Sequence, residues 1–302
     1  MTTSLAGRTA VVTGSGRGIG RATAHLLAKM GAAVVVNDLG AAVDGQGADS
    51  TPAETVAREI RDAGGKAVAN RDSVTDWDGA GRIIQTAIDH FGGVDILVNN
   101  AGVNIATPIW ALDPALFERV CDSHVKGTFN CTRHAIPHMM AKRWGRIVNL
   151  VSRAGLIGIP ENAAYGAGKG GVFGFTNVIA RDLAPYGITV NGVNPSSTET
   201  RMVLTAVETF RQQGGDAAIR AENLMKVAQK PEDVAVLIAS LCSEEIEGIN
   251  GQVFIVAKGE IGLFQPISVG QSKNNGRGWN VDDLVKALGD FEPYPLDAPY
   301  GR

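Results

Sequence analysis

Thr13-Gly14-Ser15-Gly16-Arg17-Gly18-Ile19-Gly20 is the stretch that decides the fold class. It follows a short β-branched run, Arg8–Thr13, and opens a segment of helical period, Gly20–Met30. Ala22, Leu26 and Leu27 share one face of that segment, and Gly31 stops it. Gly14 permits the tight turn out of the strand, while Gly18 and Gly20 let backbone and a pyrophosphate approach. The helix start supplies free N–H groups and a positive dipole end. A glycine cluster alone marks an ordinary turn. Set between a strand and a helix, it predicts a dinucleotide loop built from Gly14, Arg17, Gly18, Ile19 and Gly20.

Outward from this loop the chain alternates. Strand-like runs at Ala33–Val36, Lys66–Ala69, Val94–Val98, Arg146–Val151, Ile188–Val193 and Val253–Val256 are separated by helical segments. The helical segments are Pro52–Ala63, Asp76–Phe91, Pro114–Lys142, Asn162–Leu183 and Glu232–Leu241, the third interrupted around Gly127 and Pro137. Strict βα alternation predicts a parallel sheet covered on both faces, an α/β doubly wound Rossmann-type fold. No internal repeat or second α/β pattern occurs, so one catalytic domain over 1–262 is expected, with a C-terminal extension over 263–302. Leu39–Thr51 is a Gly/Asp-rich loop longer than a usual αβ connection. Val281–Leu288 is the one helix candidate in the extension.

Composition narrows the class. Glycine supplies 38 of 302 residues, well above the usual ~7%, without a repeat or a proline excess, which suits many tight strand-to-helix turns. The net charge of −3 gives no basic surface for nucleic acid or an anionic membrane. No run approaches the ~20 apolar residues of a membrane span. Three cysteines (Cys121, Cys131, Cys242) without a CxxC pair argue against a disulfide framework or a structural metal. The start, MTTSLAGRTA, lacks the features of a secretory signal, and the end, APYGR, is not a peroxisomal address. A cytoplasmic protein with a small-molecule substrate is expected.

Asp38 ends the second strand about 20 residues after the glycines, where a carboxylate accepts bonds from the adenosine ribose hydroxyls and repels a 2′-phosphate. No Lys or Arg stands at positions 36–40, which favours NAD over NADP; Arg17 is the nearby cation that softens this preference. The competing reading of Asp38 is a turn cap. Asp72-Ser73-Val74, after the third strand, is placed to contact adenine. Asn99-Asn100-Ala101-Gly102, after the fourth, leaves room beside the ribose and has amides able to tie strand ends together. Tyr165 and Lys169 stand at i and i+4, on one helical face. A lysine ammonium there, with a positive nicotinamide ring, would lower the phenol from ~10 toward the working range. Ser152 ends the fifth strand thirteen residues earlier and can hydrogen-bond the same substrate oxygen.

The TGSGRGIG loop, NNAG, Ser152, the YGAGK set, and Asn194-Pro195 with Thr200 together resemble the short-chain dehydrogenase/reductase family over about Leu5 to Val256. The resemblance implies a seven-stranded doubly wound sheet and NAD(P)(H)-dependent oxidation of alcohols or reduction of ketones. It implies Tyr165 as acid/base, Lys169 holding the nicotinamide ribose, Ser152 orienting the substrate oxygen, Thr200 touching the carboxamide and backbone at Pro195 flanking the ring. It also implies a homodimer or homotetramer built on the long helices. The chain departs from the family at His124, where Asn is usual and helps hold a relay water; His124 either takes that part or is a packing residue. It departs again at Ser196, where Gly follows Pro. The second strand with its glycine-rich loop, and Gly64–Asn70, are similar to the dehydrogenase part of multifunctional β-oxidation enzyme type 2. That similarity implies an apolar (3R)-hydroxyacyl-CoA or hydroxysteroid substrate, and Val103, Ile105, Ile109, Trp110, Leu156 and Ile157 supply apolar side chains for such a pocket. The alternatives are an NADPH-dependent 3-oxoacyl reductase and a non-catalytic NAD(H)-binding sensor. The segment Thr198–Lys230 reads as a lid over the substrate or as a plain helix pair.

Overall fold

The computed structural model describes residues 4–246, 248–276 and 278–293. Two compact units divide at Leu263 and Phe264. In the first, the strands are β1 (Thr9–Thr13), β2 (Ala33–Asn37), β3 (Lys66–Asn70), β4 (Ile96–Asn99), β5 (Gly145–Leu150), β6 (Ile188–Pro195), β7 (Val253–Ala257) and β8 (Glu260–Leu263). The helices are α1 (Gly18–Lys29), α2 (Thr51–Asp62), α3 (Trp77–Phe91), α4 (Pro114–Cys121), α5 (Gly127–Lys142), α6 (Arg153–Leu156), α7 (Ala163–Leu183), α8 (Arg201–Gln213), α9 (Gly215–Val227) and α10 (Pro231–Leu241). The second unit holds α11 (Val281–Gly289), whose Asn280 side chain caps it by accepting from the Asp283 N–H. The last nine residues, including the APYGR end, lie outside the described residues.

The sheet order is β3-β2-β1-β4-β5-β6-β7-β8. Every pair is parallel except β7 with β8. The strands are apolar on both faces because both are covered. Ala10, Val12, Val34, Val36, Ile96 and Val98 pack with Leu27, Ile60 and Ile238 from α1, α2 and α10. Their alternates Val11, Val35 and Leu97 pack with Ile83, Met139 and Ile179 from α3, α5 and α7. Strand order reverses between β1 and β4, the switch point where such sheets open a crevice at their carboxyl ends. Register pairs Thr13 with Asn37 and Val12 with Val98, so Gly14, Asp38 and Asn100 leave the sheet side by side.

Three elements depart from the sequence expectation. The sheet has eight strands, not seven, and it is not wholly parallel. Lys258 and Gly259 both have positive φ (44° and 84°), which turns the chain back in a tight hairpin and adds β8. Pro137 does not interrupt α5, which runs through it. The interruption lies earlier, in a π-helical turn over Asp122–Lys126. Such turns insert one extra residue and are common at functional sites; this one carries His124. The lid segment forms the helices α8 and α9.

Candidate active site

The cleft at the switch point has a volume of about 570 Å³ and lies within the first unit. Gly14, Arg17, Gly18, Ile19, Asp38, Asp72, Ser73, Asn100, Ala101, Gly102, His124, Ser152, Tyr165, Lys169, Pro195 and Thr200 all line it. Gly20 does not. A Cβ on Gly20 would overlap the Gly14 carbonyl and the Asn100 amide, so this glycine lets α1 start against the turn rather than admitting a phosphate. Gly14 and Gly18 have φ of +63° and +53°, the left-handed region that suits glycine. A Cβ on Gly14 would stand 2.8 Å from Ala101 Cα, and one on Gly18 3.1 Å from Thr200 Cγ2.

Backbone amides fix the carboxylate at the end of β2. Gly16 N–H donates to Asp38 Oδ2 and Gly40 N–H to Oδ1, both at 2.7 Å. Asn100 joins β1 to β4, its amide donating to the carbonyls of Thr13 and Gly14 at 2.9 Å. Asn99 turns inward instead and donates to Asn149. Asp72 is held by Arg82 at 2.7 Å and by the Asn70 amide.

Ser152 follows β5 and caps α6, its hydroxyl accepting from Ala154 N–H at 3.2 Å. Tyr165 and Lys169 lie one turn apart on α7, with the ammonium 5.7 Å from the phenol ring centre. Lys169 is buried and donates to the Leu150 carbonyl at the end of β5. Burial pushes the phenol up to about 12, and the hydrogen bond with Ser152 opposes this only in part. Burial also draws Lys169 down to about 7, so near neutrality it lacks the full charge that would lower the phenol.

His124 is buried with its ring edge-on to Tyr165, centroids 5.2 Å apart at 77°. Nε2 lies 2.9 Å from the Val103 carbonyl. A carbonyl only accepts, so Nε2 carries the proton and Nδ1 is a bare acceptor. That Nδ1 is buried and unpartnered. Burial, with the nearby Lys169 charge, holds the imidazole well below its ordinary pKa and therefore neutral. Two glycines make room for the ring. A Cβ on Gly102 would overlap it, and one on Gly168 would press on the His124 Cβ at 3.2 Å.

Of the apolar residues expected at the substrate, only Val103 lines this cleft. Ile109 and Trp110 line a separate shallow groove with Ile159 and Pro160, and are 66% and 86% exposed. Ile105, Leu156 and Ile157 line neither. The sequence reading missed two cations on the wall, Arg119 and Arg201. Arg119 presents a buried Nε with no partner. Neither sits in a motif, and only tertiary placement reveals them.

A doubly wound sheet with a glycine loop, a strand-end carboxylate and a Ser-Tyr-Lys set around one cleft defines a Rossmann-type protein of the dinucleotide class. The family model described as short chain dehydrogenase matches residues 8–210, and the chain belongs to that oxidoreductase family. It is 41% identical over 254 residues to a short-chain type dehydrogenase/reductase of Mycobacterium tuberculosis, covering 84% of this chain and 83% of the relative. It is 40% identical over 253 residues to peroxisomal multifunctional enzyme type 2 of Drosophila melanogaster, covering 84% of this chain but 39% of that longer protein. A crystal structure of a short chain dehydrogenase from Mycobacterium avium superposes with a TM-score of 0.80 at 35% identity, covering 99% of both chains. No helix among the described residues is long and apolar enough to cross a membrane.

Proposed function

We propose that this chain is a cytoplasmic NAD-dependent oxidoreductase that interconverts a secondary alcohol and a ketone, on a hydroxyacyl-CoA or hydroxysteroid-like apolar substrate. The observation that carries this reading is the convergence of Ser152, Tyr165 and Lys169 on the cleft that also holds Gly14, Gly18 and Asp38. The residues present fit a dinucleotide. Gly14 and Gly18, both at positive φ, line the cleft at the turn into α1, and the fixed Asp38 carboxylate suits a ribose diol. Gly14, Arg17, Gly18, Ile19, Asp38, Asp72, Ser73, Asn100, Ala101, Gly102, Pro195 and Thr200 would line its path, and Lys169 would hold the nicotinamide ribose.

The bound nicotinamide supplies the hydride acceptor in oxidation and the donor in reduction. The protein supplies the proton chemistry. In oxidation the substrate hydroxyl lies between Ser152 and Tyr165, Ser152 orients its oxygen, and the Tyr165 phenolate takes its proton. A phenol pushed up to about 12 stays protonated and so holds the proton that reduction requires. In the oxidative direction a positive ring and a charged Lys169 must bring it down. Lys169 passes the proton onward, and the unpartnered His124 Nδ1 accepts a hydrogen bond from the relay water. The likeness to multifunctional enzyme type 2 supports the acyl-CoA class. Met202 and Val203 on α8 also line the cleft, which supports α8 and α9 as a substrate lid. Phe117, Phe129 and Val178 on α4, α5 and α7, with Val125 in the π-turn between α4 and α5, expose apolar surface, which supports pairing of these helices in a homodimer or homotetramer.

Cofactor choice tests the reading at Asp38. The wild type should show the higher kcat/KM with NAD⁺ than with NADP⁺. Asp38→Ala should lose about 10–100-fold with NAD⁺, the range of a hydrogen bond to a charged group. A wild type that prefers NADP⁺ overturns the NAD assignment and favours the NADPH-dependent reductase.

A further inference from the structure

Arg201 is the first residue of α8, next to the capping Thr200, and it lies on the cleft wall. Its Nη2 donates to the carbonyl of Ala41 at 2.7 Å, across 160 positions of sequence. Ala41 belongs to the long loop between β2 and α2, which arches along the cleft through Leu39, Ala42, Val43 and Gly45. The loop is internally bonded, Asp49 N–H donating to the Leu39 carbonyl and Ala42 N–H to the Gln46 carbonyl. A firm loop therefore holds the guanidinium in place by one of its five N–H groups.

The charges around it do not balance. The side chain of Arg17, also on the wall, has no hydrogen bond or ion pair among the described residues. Partial burial disfavours charge on Arg201, the nearby Arg17 adds to this, and Asp38 opposes it. Asp38 supplies one negative charge against the two guanidinium groups, and a backbone amide holds each of its oxygens. Asp49 feels the Arg17 charge but lies on the exposed side of the loop and caps Thr51. Arg17, at the start of α1, and Arg201, at the start of α8, thus share the cleft wall with most of their donors unused. Thr200, the neighbour of Arg201, stands over Gly18 of the glycine loop. Like charges held together at a helix start are what an anion relieves.

We propose that Arg201 is a second cofactor-binding cation, delivered by α8 and pre-oriented by the Ala41 carbonyl, which with Arg17 clamps the pyrophosphate of the dinucleotide. The assignment rests on the dinucleotide reading above. It ties α8, whose Met202 and Val203 line the same cleft, to the cofactor's phosphates.

Calorimetric titration of ADP, adenosine and 2′,5′-ADP into the wild type, Arg201→Ala and Arg201→Lys tests it without turnover. Arg201→Ala should weaken ADP about 10-fold or more and leave adenosine unchanged. Arg201→Lys should fall between, keeping the charge but not the fork. Unchanged ADP affinity in Arg201→Ala overturns the proposal. So does an equal loss for adenosine, which would make Arg201 a loop fastener, or a loss confined to 2′,5′-ADP, which would place it on a 2′-phosphate. A wild type that binds neither ADP nor NAD⁺ removes the dinucleotide reading itself, and this assignment with it.

Discussion

Tyr165→Phe should lose about 10²–10⁴-fold in kcat, the usual worth of a positioned acid or base. The substitution removes one oxygen and keeps the ring. The edge-on contact with His124 and the packing beside Leu116, Val120 and Ala164 therefore persist, and the fold with them. The affinity for NAD⁺ should stay within a few-fold, because the loop glycines and Asp38 are untouched. The loss should fall on kcat, since proton transfer is an interaction of the transition state. The pH profile supplies a second check. Oxidation needs the phenolate, so below the pKa of the complex the wild-type oxidative rate should rise about tenfold per pH unit, and the residual rate of the Phe variant should not. Near-full kcat in the variant would remove Tyr165 from the mechanism.

Lys169→Met should separate stability from activity. A lysine buried enough to titrate near 7 destabilises the folded state wherever the unfolded chain would still bind its proton. The sign follows from the direction of the shift. The folded value lies below the unfolded one, so the cost is complete below about pH 7 and fades as pH rises toward 10.5. Methionine fills a similar volume without a charge to desolvate, and replacing buried ions by apolar groups often gains ~1 kcal/mol or more. The variant should melt higher than wild type at pH 6, with the difference shrinking by pH 10. Turnover should fall by at least ~10²-fold as the phenol loses its electrostatic partner. Melting curves across pH, beside kcat, decide it. A Met variant less stable at pH 6 would mean that the bond to the Leu150 carbonyl outweighs the burial cost.

The first β-turn-α unit was readable because Gly14 closes a β-branched run and a 3.6-residue period begins at once. The hairpin to β8 was not readable. Its turn is Lys258-Gly259 rather than Asn-Gly, and Glu260–Leu263 is a short strand with a glycine inside it. Pro137 suggested a break that α5 absorbs, while Gly127 marked the real irregularity, the π-turn at His124 that ends directly before it. In the site, the spacing of Ser152, Tyr165 and Lys169 let their meeting in one cleft be read directly. The burial of the Tyr165 phenol could not, because desolvation depends on what packs around the ring. Arg201 meets Ala41 only through the tertiary fold, and Gly20 is needed for contacts that the glycine pattern alone does not distinguish from phosphate approach.

The most direct test of the central claim is NAD⁺ and NADP⁺ reduction, followed at the NADH absorbance band. The panel would hold (3R)- and (3S)-hydroxyacyl-CoAs, hydroxysteroids and simple secondary alcohols. The account predicts turnover with NAD⁺ and with a (3R)-hydroxyacyl-CoA or a hydroxysteroid. Turnover with NADP⁺ alone would contradict the role given to Asp38. Turnover with simple alcohols but with no CoA ester or steroid would contradict the substrate class. Cofactor binding without turnover on any member would contradict the catalytic reading and favour an NAD(H) sensor.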